Sequence, residues 1–91
     1  MYQVRMTGKF VADIKLAKKR KLPMSELYTL VDLLASGNPL SVKYKDHALK
    51  GEYKGYRECH INPDWLLVYK KNEKDLVLLL LRTGSHADLF K

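Results

Sequence analysis

Apolar residues recur along the chain with two periods, and the change from one to the other divides it into a helical half and a stranded half. Tyr2 to Met6 alternates, which predicts a short first strand. From Thr7 or Gly8 the period lengthens. Phe10, Ile14 and Ala17 share one helix face, and Lys15, Lys18 and Lys19 occupy the other. Lys18 to Lys21 is an unbroken basic run, the sign that suits the negative end of a helix dipole. Pro23 fits the first turn of a second helix. There Met24, Leu27, Tyr28, Val31 and Leu34 form an amphipathic stripe, with Tyr28 read as core, and Gly37 is the expected C-cap. Only a few residues around Leu22 join the two helices, so they should form an antiparallel hairpin.

Between Gly37 and Gly51 no period survives. Gly37-Asn38-Pro39 is a turn signal, and the irregular stretch after it carries His47 among Lys43, Lys45, Asp46 and Lys50. Three strands should follow, at Tyr53 to Ile61, Trp65 to Lys70 and Asp75 to Arg82. Asn62-Pro63-Asp64 and Lys71-Asn72-Glu73-Lys74 are the turns between them. Leu76 to Leu81 is apolar throughout, which predicts cover on both faces of the last strand. Thr83-Gly84-Ser85 ends that strand, and Ser85 can cap a final short turn holding His86 to Phe90. The order strand, two helices, three strands predicts one α+β domain over residues 1–91. In it, an N-terminal strand and a two-helix hairpin pack on a twisted antiparallel sheet.

Composition adds a partner to this picture. Of the 91 residues, 46% are hydrophobic, enough for one core, and the formal charge is +7. So basic a surface favours a polyanion, although solubility alone is the plainer reason for it. The longest apolar run is far short of a membrane span, and no long amphipathic helix offers a bulky apolar face to a bilayer. Cys59 is the sole cysteine, which rules out an internal disulfide and any multi-cysteine zinc pattern. The first residues lack the apolar core of a signal peptide, so a cytoplasmic protein is expected.

Cleaving RNA by transesterification requires a base for the 2′-hydroxyl, an acid for the departing 5′-oxygen and positive charge for the phosphorus oxygens. Imidazoles suit all of these tasks, and no metal is required. His60 and Asp64 flank a hairpin turn. His86 follows the last strand, whose end must lie beside Asp64 and Trp65 if those two strands pair antiparallel. His47 comes in from the preceding loop. Each histidine alone is most simply a solvated loop residue; their convergence is what gives them a task. The set His60, Asp64 and His86 matches no zinc spacing. Trp65, just after a turn, offers a surface for a nucleobase or packs at the sheet edge. Phe90 can pin the tail. Arg82 can hold a phosphate or pair with Asp64 or Asp75. Cys59 points away from His60 and reads as a small buried strand residue.

In order along the chain, these residues resemble the YafQ type of RelE-like bacterial toxins. The matching text is Tyr44-Lys45-Asp46-His47-Ala48-Leu49-Lys50-Gly51, Lys54-Gly55-Tyr56-Arg57, His60, Pro63-Asp64-Trp65, Arg82-Thr83-Gly84-Ser85-His86 and Phe90. The helical half is similar only in kind. The resemblance implies a metal-independent endoribonuclease that enters the ribosomal A site and cuts messenger RNA there. It implies no cofactor, and an antitoxin encoded alongside that holds the toxin in a hetero-oligomer, the free toxin being a monomer. It also implies an active site of His47, His60, Asp64 and His86, walled by Trp65 and Phe90. Two other readings compete with it. One is a ParE-like toxin that poisons DNA gyrase without cutting, for which clustered histidines have no use. The other is an RNA- or ribosome-binding module.

Overall fold

The computed structural model describes residues 1–90. Its elements are β1 (Gln3–Met6), α1 (Gly8–Lys19), α2 (Met24–Ala35), β2 (His47–Ala48), β3 (Arg57–Asn62), β4 (Trp65–Asn72), β5 (Val77–Gly84) and α3 (His86–Leu89). Single 3-10 turns at Val42–Tyr44 and Gly51–Tyr53 flank β2. The strands form one sheet in the order β1-β5-β4-β3-β2. The α+β class, the helical hairpin and the C-terminal turn stand as expected.

The sheet is mixed where an antiparallel one was expected. β2 to β5 pair antiparallel, but β1 lies parallel to β5, with Gln3 opposite Val77 and Met6 opposite Leu80. Hairpin turns fix the directions of β3, β4 and β5. No turn joins β1 to β5; a parallel pair needs a crossover, and both helices lie in that connection. β3 also starts later than the pattern suggests, because Gly51 (φ 65°) and Gly55 (φ 95°) hold residues 51–56 in a tight loop.

Thr7 joins the two layers. Its hydroxyl accepts from the Phe10 amide (3.0 Å) as the N-cap of α1 and donates to the Leu81 carbonyl (2.7 Å) of β5. Pro23 is the N-cap of α2 and lies just outside its first turn. The buried stripe of α2 is Leu27, Leu30 and Leu34, while Tyr28, expected in the core, is half exposed. Three leucines at i, i+3 and i+7 place the centre of the buried face away from Tyr28. At the other end of the chain Leu76 is exposed at φ 53°, in the turn before β5. Leu78 and Leu80 are fully covered by the helices. Val77, Leu79 and Leu81, on the opposite face, are only half covered.

The two faces therefore differ. Phe10, Leu30, Cys59, Trp65, Leu67 and Tyr69 belong to the core under the helices. Leu66, Val68 and Leu89 form a smaller cluster on the other face, beneath Leu49, Tyr53 and Tyr56.

Candidate active site

Alternation along β3 sends Cys59 and Ile61 toward the helices and Glu58 and His60 toward the opposite face. β2 places His47 directly opposite Glu58. His60 lies opposite Leu66 and Leu66 opposite Gly84, so the residue that opens α3, His86, returns to the same end of the sheet. The imidazoles of His60 and His86 are 5.8 Å apart between ring centroids, and His86 Nδ1 lies 4.0 Å from Asp64 Oδ1. His47 and His60 point Nε2 at one oxygen, Glu58 Oε1, at 3.6 and 3.5 Å. The structure thus brings His47, His60, Asp64 and His86 to one end of the open face. His60 is mostly buried, while His86 and Asp64 are exposed at the rim.

Three local devices hold these side chains. His47 Nδ1 lies 2.8 Å from the Lys45 carbonyl, which can only accept, so this nitrogen carries the proton and Nε2 faces the site. Lys45 itself sits in the left-handed region (φ 49°). Beside it Asp46 accepts two bonds from Arg57 (2.8 and 3.1 Å) and one from the Tyr69 hydroxyl, which tie the His47 loop to β3 and β4. Burial and the neighbouring Asp46 push the Tyr69 hydroxyl far above its ordinary value, so it stays a donor.

α3 has four residues, too few to stand on its own backbone bonds. A capping box closes it: Ser85 Oγ accepts from the Asp88 amide, and the Asp88 carboxylate accepts from the Ser85 amide. Arg20, within the basic run, donates to the same carboxylate at 2.7 and 3.3 Å. Those bonds, Arg20 first, hold Asp88 well below the usual carboxylate range. A side chain at Gly84 would come within 3.0 Å of Asp88, so glycine leaves the room this turn needs. Phe90 closes the site, its ring edge-on to Tyr53 at 5.6 Å and 6.4 Å from His86.

Two expected site residues lie elsewhere. Trp65 is 2% exposed and packs in the core beneath the helices, so its ring cannot stack on a base. As the first residue of β4 it alternates with Leu66 and takes the face opposite the histidines. Arg82 pairs with Asp13 of α1, at 2.8 and 3.1 Å, and with neither Asp64 nor Asp75. Asp13 also accepts the Thr83 amide, so the pair braces the end of β5. Cys59 is fully buried, and burial first of all raises its thiol far above the ordinary value, so it is no nucleophile.

Glu58 and Tyr53 were missed. Glu58 is two residues before His60, and the strand period alone places both on one face; a lone Glu in a strand carries no other signal. The carboxylate of Glu58 and the imidazoles of His60 and His86 offer ligand atoms within 4.8 Å of one another, close enough for a divalent cation. Asp64 is not part of that group.

Solved proteins with this fold include small bacterial toxins. The chain belongs to the YafQ family: the model of that family, the bacterial toxin of a type II toxin-antitoxin system, matches residues 2–91. The mRNA interferase toxin YafQ of Escherichia coli K12 is 46% identical over 88 residues, covering 96% of this chain and 94% of that protein. The crystal structure of the E. coli DinJ-YafQ complex superposes over the whole of both chains, with a TM-score of 0.91 and 42% identity. That of a metal-bound toxin from Helicobacter pylori gives 0.92 and 44%, covering 99% of this chain and 100% of that one.

Proposed function

We propose that the chain is the endoribonuclease toxin of a type II toxin–antitoxin pair and cuts messenger RNA held in the ribosomal A site. One observation carries the reading: three imidazoles and the Asp64 carboxylate converge at one end of a sheet face that the helices leave open. The E. coli relative is named an mRNA interferase, which supports the substrate class.

The reaction is transesterification. A base takes the proton of the 2′-hydroxyl, O2′ attacks phosphorus, the bond to O5′ breaks, and an acid protonates O5′. The products are a 2′,3′-cyclic phosphate and a 5′-hydroxyl. His86 and Asp64, at the rim where the strand enters, handle the protons. His47 and His60, aimed by the floor of the site, hold the non-bridging oxygens. Phe90, still partly exposed, offers its face to a base, a contact worth about 1–3 kcal/mol. The basic surface draws the protein to ribosomal RNA. Among the described residues no helix is long and apolar enough to cross a membrane. The E. coli relative crystallised with DinJ, which supports a protein antitoxin as the partner that silences the free monomer in a hetero-oligomer.

His86→Ala should lower cleavage on translating ribosomes by about 10²–10⁴-fold, as read by mapping messenger RNA 5′ ends, and leave antitoxin binding intact. Cleavage at the wild-type rate would sink the reading. In-frame cuts separate it from a gyrase poison, which would leave DNA breaks instead.

The same cluster favours a second property. Glu58, His60 and His86 fit a divalent cation, and one relative is a metal-bound toxin. A metal on those nitrogens takes the lone pairs that proton transfer needs, so metal loading and cleavage compete. Cleavage should persist in EDTA and fall on titration with Cu²⁺ or Ni²⁺. Loss of cleavage in EDTA would reverse this assignment.

A further inference from the structure

We infer that Glu58 is a positioning residue of the cleavage reaction: its buried carboxylate fixes the aim of His47 and His60 into the site. The inference rests on the ribonuclease reading above and adds to it a residue with no contact to RNA.

Glu58 is 5% exposed as the second residue of β3, beside Val68, a position where a strand ordinarily carries a β-branched or aromatic residue. A carboxylate there has lost most of its water, and among the described residues no lysine or arginine lies within ion-pair distance. Its partners there are the two imidazoles, which pair with it ionically in their protonated forms. Burying an ion so sparsely compensated is unfavourable, and a glutamine of the same shape would be cheaper. Its placement makes sense only through what it holds.

Both imidazoles meet the same oxygen, Oε1. The imidazolium form of His47 carries a proton on both nitrogens, so it donates from Nδ1 to the Lys45 carbonyl and pairs its charge at Nε2 with Glu58, which together set the ring plane. His60 is held at Nε2 alone, with the ring of His86 packed against it edge-on. One carboxylate oxygen therefore registers a side chain from β2 and another from β3. A small misplacement of catalytic groups is enough to cost a large factor in rate. Arg57, the neighbour of Glu58, is engaged with Asp46 on the other side of β3 and takes no part in this tether.

The test uses the full chain with Glu58→Gln and Glu58→Asp beside the wild type, assayed on translating ribosomes and by thermal melting. Glu58→Gln keeps the shape and removes the charge. It should lower kcat by about 10–100-fold, the range for lost supporting contacts. KM should stay within about 3-fold, and Tm should be unchanged or higher. Glu58→Asp keeps the charge with a shorter reach and should recover part of the rate. Three results overturn the inference: Glu58→Gln cutting at the wild-type rate, Glu58→Gln losing rate and Tm together as a structural residue would, or Glu58→Asp doing no better than Glu58→Gln. Should the wild type leave messenger RNA whole, the ribonuclease reading fails instead. The tether is then read from the imidazole NMR signals of His47 and His60. These should be single and sharp in the wild type and averaged in Glu58→Gln; no change between the two would overturn the tether as well.

Discussion

The two faces of the sheet are made by the same strands and do opposite things. On β4, Trp65, Leu67 and Tyr69 face the helices while Leu66 and Val68 face away. On β3, Cys59 and Ile61 are apolar and covered, whereas Glu58 and His60 are polar. The helix side closes over its residues and supplies the stability. The other side closes only where Tyr53, Tyr56 and Leu49 lie over Leu66 and Val68, and the end nearest the start of β4 holds imidazoles. The lesson is a division of labour by strand period: one residue stabilises, the next is free for chemistry.

Substitutions on neighbouring positions test that division. The largest effect on folding should come from Trp65→Ala, which empties a fully buried aromatic site and should cost about 3–5 kcal/mol in urea unfolding, a large share of the roughly 5–15 kcal/mol of a small domain. Activity would then be lost through unfolding. His86→Ala on the other face should do the reverse, removing cleavage while shifting the unfolding midpoint by no more than a surface change does, about 0.5 kcal/mol. If His86→Ala melted the protein, or Trp65→Ala cut RNA at full stability, the division would be wrong. The smallest effect concerns the ion pair that joins the end of α1 to α3, Arg20 to Asp88. The folded-state pKa of Asp88 is depressed, so its contribution to stability is present above the ordinary value of 3.8 and fades as pH falls below it. Arg20→Ala should lower stability slightly at neutral pH, since the pair is solvent-screened, and leave the acid region unchanged, which flattens the acid limb of the stability–pH curve.

Much of this was legible in the sequence, and what was not has physical reasons. The stripe through Leu27 and Leu34 and the turn at Asn62-Pro63-Asp64 are local signals, and they located α2 and the β3–β4 hairpin. His60, Asp64 and His86 converge because antiparallel pairing forces it. β2 is two residues long between two 3-10 turns, too short for any period, and with it the pairing of His47 with Glu58 was hidden. The parallel seam of β1 with β5 joins the two ends of the chain, where no turn residue reports direction. Trp65 was placed beside a turn but not on a face, and one position of strand parity separates a stacking platform from a core residue. Arg82 found Asp13, a helical residue far away in sequence, as ion pairs between elements generally cannot be read from spacing.

The burial of Trp65 has an optical consequence. It is the sole tryptophan of the chain, held in the core on the side of the sheet away from the histidines. Its fluorescence should be blue-shifted in the folded protein and move to the red on unfolding, a built-in gauge of the helix-side core. RNA arriving at the opposite face has no path to the indole, so binding should leave that emission almost untouched. A quench on adding RNA would report a disturbance carried through the sheet, and the same cuvette can therefore separate occupancy of the site from damage to the fold.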